Sequence, residues 1–258
     1  MKSTLAKTLL AASVFTALAS PLHAEVCYDL VDASARVSKH AEVDCSSIIG
    51  AESRVAAEAS VTNYSNVGAG VIIRRGATLD QGQANDGSVV GQYAFIGAGA
   101  ILRDGAKIQN GSRMEVDAYV GDNSIVGSNT IIGEEAFVGM DGRIRTLSIV
   151  GDTSMLWEGV TISPLAIINT GTIIQDYVHI GRGVEIGSGN VIGSNVTINR
   201  DVTTGYNTTI GYNTLIKAGT TIGNLVTIGN NVTIGRNVTI QDNMVIPDDT
   251  VIANGVFY

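Results

Sequence analysis

Reading back from Ile252 in steps of six, an aliphatic side chain stands at nearly every stop: Ile246, Ile240, Ile234, Ile228, Ile222, Ile216 and Ile210, then on through Ile180, Val150 and Val120 to Val90 and Ala84. Thr204 is the polar exception in this run. A slip of one residue between Asp80 and Gly87 resets the phase, and the same beat then runs from Leu79 back to Val31. The two runs hold 29 and 9 stops, so about 38 six-residue units account for essentially all of residues 25–258.

Each unit has an internal order. Counting the aliphatic residue as the first position, the second is often Gly (Gly181, Gly187, Gly193), the fourth is Gly, Asn or Asp (Gly183, Asn195, Asn207), and the fifth is Val, Thr, Ser or Ala (Val184, Thr208, Ser154, Ala136). Gly, Asn and Asp tolerate positive φ best, which predicts a turn inside every unit. The fifth, sixth and next first positions then form a short strand pointing in, out, in; in "VTI" Val232 and Ile234 face inward and Thr233 outward. An array of this kind is one repetitive domain without a linker, held together by stacking of neighbours.

This order resembles the hexapeptide-repeat family of left-handed parallel β-helices, in which three hexads make one triangular coil. The resemblance implies an all-β prism, with residues 25–258 making about 13 coils. It also implies a winding opposite to the general rule for parallel crossovers, and relatives that pack three parallel prisms side by side. At strand spacings of roughly 4.8 Å the prism is on the order of 60 Å long. The segment Asp80 to Gly87 reads as a corner absorbing one missing residue.

Residues 1–24 carry Lys2 and Lys7, then an apolar run ending in the small residue Ala24. This predicts a secretory signal peptide cleaved before Glu25, hence an exported protein, periplasmic or extracellular, with no transmembrane span in the remainder. Without those two lysines, 14 Lys and Arg face 24 Asp and Glu, a formal charge of −10, which argues against a nucleic acid as partner. With 45% hydrophobic but only 5% aromatic residues, the core is built of small aliphatics. Cys27 and Cys45 are one implied coil apart, within the reach of a disulfide, and export supplies an oxidising compartment; their pairing would staple the first coil.

The fold alone hosts several chemistries. Carbonic anhydrases of the family hold zinc with three histidines, whereas residues 25–258 contain only His40 and His179, so no metal or other cofactor is expected. The stretch "IINTGTIIQDYVHIGRG", residues 167–183, resembles sugar acyltransferases that modify sialic acid and bacillosamine. In those enzymes a further hexad with the catalytic histidine separates the "NTG" and "DYVHI" portions; here Gln175 and Asp176 follow directly, and His179 matches only the later, supporting histidine. The local acid–base candidates are therefore His179, Asp176 and Glu185, set against a simpler reading as solvated outward positions. Asn195, Asn231 and Asn237 open N-x-T triplets that match a glycosylation acceptor, but the repeat already calls for Asn at its turn and Thr in its strand.

Outward sixth positions three hexads apart stack into columns. One reads Ile101, Tyr119, Phe137, Met155, Ile173 and Val191, then Thr209 and Thr227; another reads Ile131, Ile149, Ile167 and Glu185, then Thr203, Thr221 and Thr239. Trp157, the only tryptophan, follows Met155 by two residues and is placed beside the apolar stripe. The leading expectation is a non-catalytic structural or surface interaction rod, a homo-oligomer and most simply a trimer, joined through the apolar column with Trp157. A surface or polysaccharide partner is left unidentified. The alternatives are a sugar acyltransferase or its degenerate descendant, and an ice-binding protein using the threonine ladders. Insect antifreeze β-helices present two outward threonines per strand, whereas the second outward place here is usually Gly.

Overall fold

The computed structural model describes residues 30–258, so the expected signal peptide, 1–24, and Cys27 lie outside the described residues. The 37 strands among the described residues are each two or three residues long. They form three wholly parallel sheets. The first, of 13 strands, runs from Arg36–Val37 to Val251–Ile252; the second, of 12, from Glu42–Val43 to Thr239–Ile240; and the third, of 12, from Ile48–Ile49 to Val245–Ile246. Every third strand belongs to the same sheet, which is the arrangement of a left-handed parallel β-helix prism. With three strands to a coil, the 37 strands wind through about twelve turns, and single-residue bridges at Val31 and Phe257 extend the pairing at either end. No helix among the described residues is long and apolar enough to cross a membrane.

The core is the predicted inward column. Val43, Ile96, Ile132, Ile162, Ile198 and Ile234 are fully buried, as are the fifth-position residues Ala77, Ala136, Val196 and Val232. Register is strict: Ile144 pairs with Ile162, Ile162 with Ile180 and Ile180 with Ile198, each partner three hexads on. At the slip, strand Thr78–Asp80 is followed by Gln83–Ala84. Gln83 pairs with Ile101, a full coil on, but with Asn66, one residue short of a coil back. The corner has lost one residue, and Gly82 fills the inward place.

From Glu52 onward the fourth position adopts the left-handed conformation, as at Gly183 (φ 66°), Asn195 (58°) and Asn207 (51°). Leu147, Leu165, Leu225 and Thr153 also sit there with φ of 55–63°, where the sequence grammar asks for Gly, Asn or Asp. Stacking on neighbouring coils imposes that geometry on side chains that disfavour it. Glycine at the second position answers a different need. Gly211 is not in the left-handed region, but a Cβ on it would lie 2.5 Å from the Gly229 carbonyl oxygen, so there it is the next coil's backbone that excludes a side chain.

Serine and threonine at the fifth position do more than fill space. The hydroxyls of Ser112, Ser124, Thr172 and Thr208 donate to the carbonyls of Gly127 (2.5 Å), Gly139 (2.7 Å), Gly187 (3.1 Å) and Gly223 (3.0 Å) on the next coil. These bonds tie the inward end of one corner to the start of the same corner one coil later, and they satisfy carbonyls that the short strands leave over.

Candidate functional site

The three sheets turn three different surfaces outward. On the third, Ile101 pairs with Tyr119, Tyr119 with Phe137, Phe137 with Met155, Met155 with Ile173 and Ile173 with Val191, so the predicted apolar column is continuous over six strands. It continues into Thr209 and Thr227. The Tyr119 and Phe137 rings are stacked, centroids 4.9 Å apart with planes 10° from parallel. Phe137 and Met155 remain 37% and 43% exposed. Trp157, 49% exposed, occupies the second position of the corner that follows Met155–Leu156, one coil above Gly139. The column thus has a flat aromatic centre flanked by aliphatics, with an indole at its edge.

The second sheet carries Ile131, Ile149 and Ile167, then Glu185, Thr203, Thr221 and Thr239, in unbroken register. Each strand of this ladder presents one outward threonine, because the second outward place, two residues on, is Gly205, Gly223 or Gln241. Two-abreast threonine rows of the antifreeze kind are not built.

The acid–base candidates fall on separate parts of the prism. His179 is exposed on the first sheet between Thr161 and Thr197. Glu185 is exposed on the second. Asp176 lies in the corner before His179, where its Oδ1 accepts the Glu158 N–H at 3.1 Å. Among the described residues no hydrogen bond joins any two of the three, so the trio is not assembled for proton transfer. His40 is exposed at a corner and its carbonyl accepts the Glu58 N–H.

One buried polar node was not singled out as a site from the sequence. Thr204, the break in the aliphatic beat, receives a 2.6 Å hydrogen bond at Oγ1 from Asn190 Nδ2 and another from the Gly187 N–H at 3.1 Å. Asn190 also donates to the Gly205 carbonyl and accepts from the Thr208 N–H at 2.6 Å. The signal that links Thr204 to Asn190 is that both interrupt apolar stations of adjoining coils. All their visible partners are internal, which makes the pair a structural cross-tie.

A solenoid with a six-strand apolar outward column, and no hydrogen-bonded acid–base group among these candidates in the described residues, is the class of protein that fold and surface define. No protein-family model matches the chain, and no curated protein matches it either. Among solved structures it is similar to a UDP-N-acetylglucosamine acyltransferase from Campylobacter jejuni, at 17% identity over 80% of this chain and 68% of that one, with a TM-score of 0.39. It is also similar to a GDP-perosamine N-acetyl transferase mutant from Caulobacter crescentus, solved with CoA and GDP-perosamine (19% identity, 52% and 49% coverage, TM-score 0.35). A third is the acetyltransferase domain of PglB from Neisseria gonorrhoeae (19%, 46% and 51%, 0.34). These neighbours are sugar acyltransferases. At such identities the likeness concerns the fold and assigns neither substrate nor residue to this chain.

Proposed function

We propose that the protein is an exported, non-catalytic β-helical rod that associates with copies of itself, as a trimer, through the third sheet. The observation supporting this is the in-register column from Ile101 to Val191, an outward apolar stripe, exposed at Phe137 and Met155 and half-buried elsewhere, of the kind that soluble monomers seldom leave uncovered. Closed cyclic symmetry would cover the stripe in every copy. Export rests on the character of residues 1–24.

The acyltransferase alternative draws on the resemblance of residues 167–183. Against it stands the dispersal of His179, Asp176 and Glu185 over two faces and a corner. Both readings are tested on the purified protein by its mass in solution at micromolar concentration and by titration with an acyl-CoA. A trimer without saturable CoA binding agrees with the proposal; a monomer, or saturable CoA binding, contradicts it.

The same reading includes a disulfide between Cys27 and Cys45 that staples the first coil. Peptide mapping of the exported protein without reductant is expected to yield one cross-linked pair, and two alkylatable thiols would refute it.

A further inference from the structure

The chain's negative net charge hides a strong segregation. Setting Lys2 and Lys7 aside from the 16 Lys and Arg leaves 14, and 12 of these lie on the first sheet or on the corner leading from it to the second. Arg36, Arg54, Lys107 and Arg143 point outward from the sheet itself. The corner adds eight more, ending in Arg182, Arg200, Lys217 and Arg236, one on each of four successive coils. Of the 24 Asp and Glu, only Glu58 and Asp201 share this edge.

The last four cations form a ladder. Backbone hydrogen bonds from the Asp201 N–H to the Arg182 carbonyl (3.0 Å) and from the Gly219 N–H to the Arg200 carbonyl (3.2 Å) hold the corners in step. Successive corners are therefore one strand spacing, about 4.8 Å, apart along the axis, with the three arginines at the third position of their hexads and Lys217 at the second. Together with His179, Ser163, Asn199 and Asn237 these cations line an open groove of about 710 Å³. Arg200 makes one loose ion pair with Asp201 at 3.9 Å, and Arg182, Lys217 and Arg236 make none among the described residues. Arg182 and Arg200 stand in register and Lys217 follows one residue to the side; like charges so placed repel one another, a cost to the free protein that a bound polyanion removes.

We propose that this edge binds a linear anionic polysaccharide lying along the prism axis, its acidic groups on the cation ladder and its hydroxyls within reach of Ser163, Asn199 and Asn237. One cation on each of four successive coils, with Asp201 the one carboxylate in the lining, suits a chain with one acidic group per sugar. Duplex DNA carries a charge every ~1.7 Å along a twisting path. Single-stranded nucleic acid is held by aromatic stacking platforms, and no Phe, Tyr or Trp ring lines the groove. At the height of Arg200 and Lys217 the other corners present Ser194 and Tyr206, and Tyr212 and Asn224, whereas Asp176 and Asp242 lie one hexad from Arg182 and Arg236; a second copy in parallel register would therefore meet a carboxylate at only two of the four cations. The proposal rests on a different edge from the self-association face and is tested independently of it.

The test is isothermal titration of the full protein with sodium polygalacturonate, with dextran and a DNA duplex as comparison ligands. The variants are Arg182→Ser/Arg200→Ser/Arg236→Ser and, as a charge control off this edge, Arg113→Ser, with circular dichroism verifying that both fold. Should the triple variant fail to fold, the single Arg236→Ser variant takes its place, with a smaller loss expected. Saturable, salt-sensitive binding of polygalacturonate but not dextran is expected, weakened about tenfold or more in the triple variant and within about twofold of wild type in the control. No saturable binding, an unchanged triple variant or tighter binding of the duplex would each overturn the proposal. A triple variant that changes the protein's mass in solution would overturn it too, by making the edge an interface between copies.

Discussion

Tyr119 and Phe137 stand in register on adjacent strands of the third sheet with their rings stacked at 4.9 Å. Such a pair contributes about 0.5–1.5 kcal/mol beyond its area burial. It also turns two bulky side chains into one flat plate, and that plate lies at the middle of the one long outward column that is apolar on six consecutive strands. The rings reach this arrangement because the three-hexad coil sets residue 119 under residue 137 whatever their identity.

The corner hydroxyl ladder separates two buried serines. Ser124 Oγ donates to the Gly139 carbonyl and accepts from the Gly142 N–H at 2.9 Å, whereas Ser88 Oγ is buried without a partner among the described residues. Ser124→Ala is expected to destabilise by about 1–3 kcal/mol, and Ser88→Ala to be neutral or stabilising. Denaturant unfolding of the two variants checks this, and equal losses would show the ladder to be energetically idle.

Leu225 holds φ at 56° between Asn207 and Asn243, which occupy the same station one coil either side. Leu225→Asn keeps the turn and relieves a conformation that costs an ordinary side chain roughly 1–2 kcal/mol. The variant is expected to unfold at higher denaturant concentration than wild type, and a lower midpoint would show that the leucine's packing outweighs its backbone.

Much of this fold is legible in the sequence, since a period of six leaves few choices once Ile252 and its predecessors are aligned. The inward column, the turn at the fourth position, the lost residue near Gly82 and the pairing of Tyr119 with Phe137 all follow from phase. Three features do not. Ser124 as a hydrogen-bond donor looks like any small fifth-position filler until the Gly139 carbonyl of the next coil is placed above it. Leu225 in the left-handed region contradicts local preference and is dictated by its neighbours. The basic edge is invisible in a net charge of −8, because Arg182, Arg200 and Arg236 join Arg143 on one side only when hexads are assigned to faces. The acid–base trio follows from the resemblance of residues 167–183 and closeness along the chain, but His179 and Glu185 are sixth positions of consecutive hexads, which point from different sides of a triangular coil, and Asp176 sits in the corner before them.

Acid should loosen the N-terminal coils first. Asp44 is the hub of a corner: burial opposes its charge, but bonds from Ser47, the Asn63 N–H and Ser46 outweigh that and hold its carboxyl below the ordinary value of 3.8. A lowered folded pKa contributes stability that is present above the unfolded value and is lost as pH falls through the folded one. Stability of the wild type should therefore decline below about pH 4, and Asp44→Asn should lose part of that dependence while being less stable at pH 7. Unfolding curves at pH 7 and pH 3 measure both, and an identical pH response in the variant would remove Asp44 from the account.

The central claim is that the third sheet joins copies of this chain, and Phe137 gives the most direct access to it. Its side chain faces outward from the coil, so Phe137→Glu should leave the buried column undisturbed while placing a charge in the centre of the apolar plate. Light scattering coupled to gel filtration at micromolar concentration is the measurement. The account predicts a wild-type mass of three chains and a folded Phe137→Glu protein at the mass of one. A monomeric wild type, or a variant with unchanged mass, would contradict it.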